Sequence, residues 1–307
     1  MSKYEKWIKS PSHFLSMTGY RVADFERLLA EFGPVHDAYL KKHELNGKPR
    51  KGLRRSVIYQ NSPLPSHAER LCFILFYLKH NPVQEVQAEV FEMEQAQANV
   101  YIHGLHTILQ LALEQSESMP ARTEADLQTA LENQSGKELL HDGSEREVPR
   151  PQDTEQQKAQ YSGKKKKHTV KNAFLATMLG VIVYVSPTYA GSVHDKRMAD
   201  SYSIPAGFRL WQDTGYQGYA PAGVEIVQPQ KKPKGKDLTS EQVQQNRDIS
   251  RVRVRIEHFI GGVKRYRMVK DECRAYKNDF RDTTVGICTG LYNFRVAHKL
   301  PQYPDFQ

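Results

Sequence analysis

Apolar positions along this chain follow a helical period in the first half and a strand period in the second. Val22, Phe25, Leu28, Leu29 and Phe32 line one face of a modest helix. From residue 64 the helical signal is continuous. LPSHAERLCFILFYLKH predicts a helix stopped at Asn81 and Pro82, VQEVQAEVF a short second helix, and QAQANVYIHGLHTILQLALEQ a longer third. Beyond residue 137 the period shortens. ELLHDGSEREV puts Leu140, Asp142, Ser144 and Arg146 on one face of a strand, and Gly143 leaves room for a bulge or a close backbone approach. KHTVKNAFLAT and GVIVYVSPTY predict consecutive strands, the second so continuously apolar that it reads as central. HDKRMADSY predicts a short helix, FRLWQD a strand ending at Asp213, and VEIVQPQ another strand. A long helix then opens on a capping box, Thr239 with Gln242, and carries Val243, Ile249, Val252, Ile256, Phe259 and Val263 at helical spacing. A last helix falls around 279–299.

These elements predict an α/β fold: a mixed sheet flanked by helices, preceded by an all-helical region with the outline of a helix-turn-helix. The expected divisions are a basic region at 1–60, the helix-turn-helix-like domain at 61–120, a polar linker at 121–137, the α/β domain at 138–300 and a tail at 301–307. The stretch KPRKGLRR at 48–55 reads as a basic arm. At 307 residues and 39% hydrophobic side chains, the chain can bury a large core or two. Cys72, Cys273 and Cys288 have no zinc-knuckle or redox-dithiol spacing, and the charged start MSKYEKWIKS and the short apolar run LCFILFYL argue against export or membrane insertion. The expected location is therefore the cytoplasm.

Charge changes this picture, because it is uneven. Residues 1–80 carry 14 basic and 7 acidic side chains, 81–160 carry 5 and 15, and 161–307 carry 25 and 13. A polyanion is drawn to the two ends of such a chain and repelled by its middle. The third predicted helix has no Lys or Arg between Gln95 and Gln115, so reading DNA and holding a partner helix stand level for it. His103 and His106 on the same helix lack a third ligand and read as ordinary helix histidines.

The candidate chemistry lies in three acids on three elements. Asp142 sits within a strand, Asp213 at a strand end, and Glu257 beside the apolar stripe of the long helix. Hard divalent cations need carboxylate oxygens from several directions, which acids on separate elements can supply. The words around them are RPQDTEQQKAQYSGKKKKHTVKN, SPTYAGSVHDKRMAD, QDTGYQGYAP, KKPKGK and RVRVRIEHFIGGVKRYRMVKD. Together, over residues 64–298, they resemble the DDE transposases of bacterial insertion sequences in the IS-five group, whose eukaryotic relatives are Harbinger-type nucleases.

That resemblance implies a ribonuclease-H-like catalytic domain with Asp142, Asp213 and Glu257 as catalytic acids and metal ligands, 71 and 44 residues apart. It implies magnesium as cofactor, with manganese able to substitute, and DNA as partner, both element ends and target. The reaction implied is hydrolysis at the element ends followed by attack of the freed 3′-hydroxyl on target DNA. A homodimer or higher assembly, associated with the nucleoid when DNA-bound, follows from the need to pair two ends. The residues themselves leave two other readings: a sequence-specific metal-dependent endonuclease without strand transfer, and a non-catalytic DNA-binding regulator derived from a transposase.

The remaining signals are weaker. Lys164, Lys165, Lys166 and Lys167, with His168 and Lys171, form the densest positive run, and its place between the first two strands favours phosphate contact. Lys231, Lys232, Lys234 and Lys236 form a second run, for which DNA contact and a wetted loop weigh equally. Asp195 rivals the three acids but reads as a helix N-cap, and His194 as a neighbour of the site or a surface histidine. Arg253, four residues before Glu257, is placed for a local ion pair with it.

Overall fold

The computed structural model describes residues 2–52, 58, 61–132, 134, 137–272, 274 and 278–298. Part of the basic arm at 48–55, Cys273 and the tail at 301–307 lie outside the described residues. The chain divides into two compact units. One takes residues 1–119, 264–271 and 290–298; the other takes 120–263 and 272–289.

The first unit is helical where it is described, apart from an isolated bridge between His43 and Pro49. Its helices are α1 (Lys3–Trp7), α2 (Pro11–Thr18), α3 (Val22–Lys42), α4 (His67–His80), α5 (Gln84–Val90) and α6 (Gln95–Gln115). The apolar faces meet in a core containing Phe14, Tyr20, Phe25, Leu28, Phe32 and Leu71, all fully buried. Helix α4 starts on Ser66, whose hydroxyl accepts from the Glu69 amide, and stops at Asn81 in the left-handed region, as the punctuation in the sequence predicts. Helix α3 runs ten residues past the predicted end at Phe32, through Pro34. Buried Val35 and His36 extend its inner face beyond the proline, so packing holds the helix together where local preference would end it.

The second unit is mixed α/β. Its elements are α7 (Glu124–Glu132), β1 (Glu138–Glu147), α8 (Thr154–Gln160), β2 (Tyr161–Ser162), β3 (Lys167–Thr177), β4 (Ile182–Val185), β5 (Tyr189–Ala190), α9 (Asp195–Ala199), β6 (Arg209–Trp211), β7 (Glu225–Val227) and α10 (Ser240–Val263). The short α11 (Arg267–Lys270) belongs to the first unit, and α12 (Asn278–Ala297) gives residues to both. Among the described residues the strands form one seven-stranded sheet, ordered β2-β3-β1-β6-β7, with β4 and β5 also on β3. β1 is the inner strand: it runs antiparallel to β3 and parallel to β6.

Two expectations change here. β4 is an outer strand, not a central one; its four residues are all buried because α7 and a bridge from Ala121 cover it. A run of apolar residues reports cover on both faces and says nothing about sheet position. The polar stretch read as a linker contains α7, whose Leu127 and Leu131, one turn apart, enter the sheet core beside Leu139, Leu175 and Tyr184. Two apolar residues among many polar ones carry too little signal to distinguish an amphipathic turn from a connector.

Candidate metal and nucleic-acid site of the α/β unit

Asp142 stands in the middle of β1, opposite Phe174 of β3, with Gly143 opposite Ala173. The register is unbroken, so Gly143 marks a close approach instead of a bulge: a Cβ there would lie 3.1 Å from the Tyr216 hydroxyl. Asp213 follows the end of β6 by two residues and caps the 3-10 turn Thr214–Tyr216, its carboxylate accepting from the Thr214 amide at 2.7 Å. β6 lies parallel to β1, which brings this strand end to the same region of the sheet. Helix α10 packs against β1, β3 and β6, and its capping box forms as predicted: the Thr239 amide donates to Gln242 at 2.9 Å and the Gln242 amide to Thr239 at 3.3 Å.

Arg253 of α10 joins the acids. Its guanidinium lies 3.9 Å from the Asp142 carboxylate and 3.5 Å from that of Asp213. The side chain is buried, and it pairs with these two acids in place of the local partner Glu257. Glu257, one turn further on, is exposed, and its charge reaches Asp142. Burial pushes the Asp142 carboxyl up to about 6, and the negative charges of Asp213 and Glu257 push the same way, against the Gly143 amide and Arg253. Three carboxylates thus share one electrostatic environment across a strand, a strand end and a helix.

Asp195 is also present here. It is the first residue of α9, and the cap is His194, whose ring accepts from the Lys196 amide, so the N-cap expectation for Asp195 is corrected. Its carboxylate is free to turn elsewhere and meets Lys171 at 3.3 Å. Lys171 also pairs with Glu145 at 3.2 Å and donates to the Val193 carbonyl at 3.1 Å. The ammonium expected to contact phosphate is thus engaged inside the unit.

The lysine run falls elsewhere. Lys164, Lys165 and Lys166 occupy the turn before β3, Lys167 begins the strand and pairs with Glu147 at 2.8 Å, and His168 is half-buried against Tyr161. Along β3 the end of this turn, Lys166, is eight residues from Phe174, the partner of Asp142; at ~3.3 Å per residue that is about 26 Å. Lys231, Lys232, Lys234 and Lys236 are exposed on the connection between β7 and α10, where Lys232 pairs with Asp237 at 2.6 Å.

Sequence reasoning missed Tyr216, His141 and the actual partners of Arg253. His141, next to Asp142 on β1, is buried, its ring tilted 38° against that of Tyr216 with centroids 3.8 Å apart and hydrogen-bonded to the Tyr202 hydroxyl at 2.6 Å. Burial lowers its pKa to about 3, so it stays neutral. The word QDTGY contains Tyr216, and this nearness to Asp213 in sequence is the one signal that could have drawn attention to it.

This arrangement lies within residues 141–293, which match a family described as DDE superfamily endonuclease. Residues 141–293 form a domain of the DDE superfamily of endonucleases. A protein from Microchaete diplosiphon described as "Probable transposase for insertion sequence element IS702" is 28% identical over 165 residues, covering 52% of this chain and 58% of that protein. The chain thus spans little more than half the length of this relative. No solved structure gives a significant match. The matched stretch covers most of the mixed α/β unit already described, with Asp142, Asp213 and Glu257 all inside it.

The donor set of the DDE domain suits a hard divalent cation. All three acids offer carboxylate oxygen, their mutual repulsion disfavours three bare charges, and a cation, the Arg253 guanidinium, already lies between two of them. Among the described residues the one group of three His, Cys, Asp or Glu side chains with ligand atoms all within 4.8 Å is a different one, His36, Asp37 and His67 of the helical unit. Arg70 donates to Nε2 of His36, which leaves the ring proton on Nδ1 to donate to Asp37 at 3.0 Å, and His67 donates to the same carboxylate oxygen at 2.9 Å. This relay uses the atoms a metal would need.

Proposed function

We propose that the chain is an insertion-sequence DNA transposase of the IS-five group, with a ribonuclease-H-like catalytic domain that cuts phosphodiesters at element ends and joins the freed 3′-hydroxyl to target DNA. The observation that carries this reading is the meeting of Asp142 and Asp213 at Arg253, with the Glu257 charge acting on the same carboxyl, inside a DDE domain. Asp142, Asp213 and Glu257 are the residues to hold magnesium or manganese, which when bound supplies activation of the attacking oxygen and stabilisation of the leaving one. The chain's own work is positioning. The inner strand β1 fixes Asp142, the Thr214 amide orients Asp213, and Arg253 neutralises both. Neutral, buried His141 and Tyr216 pack on the face of β1 opposite the Asp142 side chain and support the strand from beneath.

In this reading DNA ends and target are the partners, and pairing two ends calls for at least a homodimer in the cytoplasm, at the nucleoid. The helices α4, α5 and α6 supply the helix-turn-helix outline, and the exposed lysines at 164–167 and 231–236 supply phosphate contacts. A cleavage and joining assay on DNA carrying the element's own flanking ends tests it. Nicking at the ends in Mg²⁺, lost in Asp142→Ala, Asp213→Ala and Glu257→Ala, and accompanied by joined products, is the expected result. Nicking without joining would leave an endonuclease, and binding without cleavage in every metal would leave a regulator.

A further inference from the structure

Helices α5 and α6 of the helical unit contain no Lys or Arg, and their acidic side chains are Glu85, Glu89 and Glu114. Phosphate contacts from this unit must come from elsewhere, because a protein is held on a duplex largely through the backbone, much of it by basic side chains. Six cations gather at another place in the same unit. Arg21 precedes α3, Lys79 lies in the last turn of α4, Arg265 precedes α11, Arg267 and Lys270 stand on α11, and Arg295 lies in the last turn of α12. The two basic stretches of the chain, residues 1–80 and 161–307, therefore meet here.

Gly19 and Tyr20 are the point on which they converge. Gly19 ends α2 in the left-handed region, and its carbonyl accepts from the Arg265 guanidinium at 3.2 Å. A Cβ on Gly19 would lie 3.5 Å from Cδ of Lys79, whose ammonium donates to the Arg265 carbonyl at 3.1 Å. The Arg295 guanidinium lies 5.8 Å from the centre of the Tyr20 ring. Helix α11 rests on α4 with Met268 and Val269 buried, and exposes Arg267 and Lys270, neighbours three apart on one face. Arg21 is exposed as well. Local needs account for part of this charge: Lys79, Lys270 and Arg295 lie at helix C-termini, each worth roughly half a negative charge, and Asp271 pairs with Arg267 at 2.6 Å. Together these offset less than half of it. Burial, and then Arg265, Arg295, Arg267 and Lys270, hold the Lys79 ammonium below the ordinary lysine value.

We propose that this end of the helical unit is a docking surface for the phosphate backbone of duplex DNA, with Arg21, Arg267 and Lys270 as its outward contacts. Lys79, Arg265 and Arg295 form the charged floor beneath them. A polyanion removes the repulsion that the gathered cations exert on one another. Tyr20 and Tyr266, the rings of this region, are fully buried, so no unpaired base can stack on them, which favours the backbone of a duplex over a single strand. Such contacts carry no sequence information and fix the unit on the duplex. The inference rests on the reading of the chain as a DNA transposase, and the experiment separates the two.

Fluorescence anisotropy of the full-length protein with a labelled duplex of arbitrary sequence, in EDTA and at a series of NaCl concentrations, provides the test. Arg21→Gln, Arg267→Gln and Lys270→Gln are combined in one variant, which leaves the Lys79 and Arg265 hydrogen bonds in place. Lys41→Gln, Lys42→Gln and Lys48→Gln, exposed in the same unit, make a second variant with the same loss of charge. The first variant is expected to lower the log–log salt slope by up to about 3, near 0.9 for each lost phosphate contact, and to weaken binding at least about tenfold at low salt. The second should keep a slope close to that of the wild type, and both should melt at the wild-type temperature. A slope in the first variant equal to that of the wild type, or lowered no further than in the second, overturns the docking surface while leaving the transposase reading standing. Loss of binding to anionic phospholipid vesicles with DNA binding unchanged overturns it too. A wild-type protein that binds no duplex at any salt overturns both.

Discussion

Asp142 is held at a cost that can be read as a pH dependence. Its carboxyl binds a proton more tightly folded than unfolded, about 6 against 3.8, because burial and the charges of Asp213 and Glu257 disfavour the anion. A group raised in this way contributes stability below its unfolded value and loses it as pH climbs through its folded value. At pH 7.5 in EDTA, Asp142→Asn should therefore raise the unfolding free energy by about 3 kcal/mol, the gain fading towards pH 4 in urea titrations, while cutting activity disappears. Arg253 has the opposite sign. Arg253→Met removes the cation between two acids and should lower stability in EDTA by about 1–3 kcal/mol, with added Mg²⁺ restoring more of the melting temperature than it adds to the wild type. The acids were legible because the words around them are distinctive. Arg253, Tyr216 and Asp195 were not, since their partners are decided by which strands become neighbours. Spacing along α10 made Glu257 the natural partner of Arg253, and the packing of α10 on β1 and β6 turned the guanidinium to Asp142 and Asp213 instead.

Elements were legible where punctuation and period agreed. Helices α4 and α6, the capping box of α10 and strands β1 and β3 fall where the apolar pattern and the caps put them. Helix α7, the second half of α3 and the outer place of β4 were hidden, because each depends on what covers it. Gly104 in α6 shows how far packing can outweigh local preference. An alanine there would favour the helix by about 1 kcal/mol. Its Cβ would, however, stand 2.3 Å from the Leu45 carbonyl, a contact that only movement of the backbone could relieve. Gly104→Ala is therefore expected to lower stability by about 1–3 kcal/mol in denaturant titrations, opposite to the helix-propensity prediction.

Charge belongs to the molecule as a whole, since basic ends and an acidic middle sum to +9. Non-specific DNA binding should weaken steeply with salt. Replacing Lys164, Lys165, Lys166 and Lys167 together by Gln should lower the log–log salt slope by up to about 3–4 if each meets a phosphate, and leave it unchanged if the turn faces only solvent. The helical unit carries one more consequence, for the order in which the protein is made. It draws on residues 1–119, 264–271 and 290–298: Arg265 donates to the Gly19 carbonyl at 3.2 Å, Tyr20 to the Leu291 carbonyl at 2.7 Å, and Asn293 to the Ser118 carbonyl at 3.1 Å. A ribosome that has finished residue 119 must still synthesise the DDE domain, on the order of 10–40 s at ordinary elongation rates, before those partners emerge. A product terminated before residue 264 lacks the donors and acceptors that Arg265, Leu291 and Asn293 supply, so its helical unit is expected to be less stable than that of the full chain, which proteolysis of the 1–263 fragment checks.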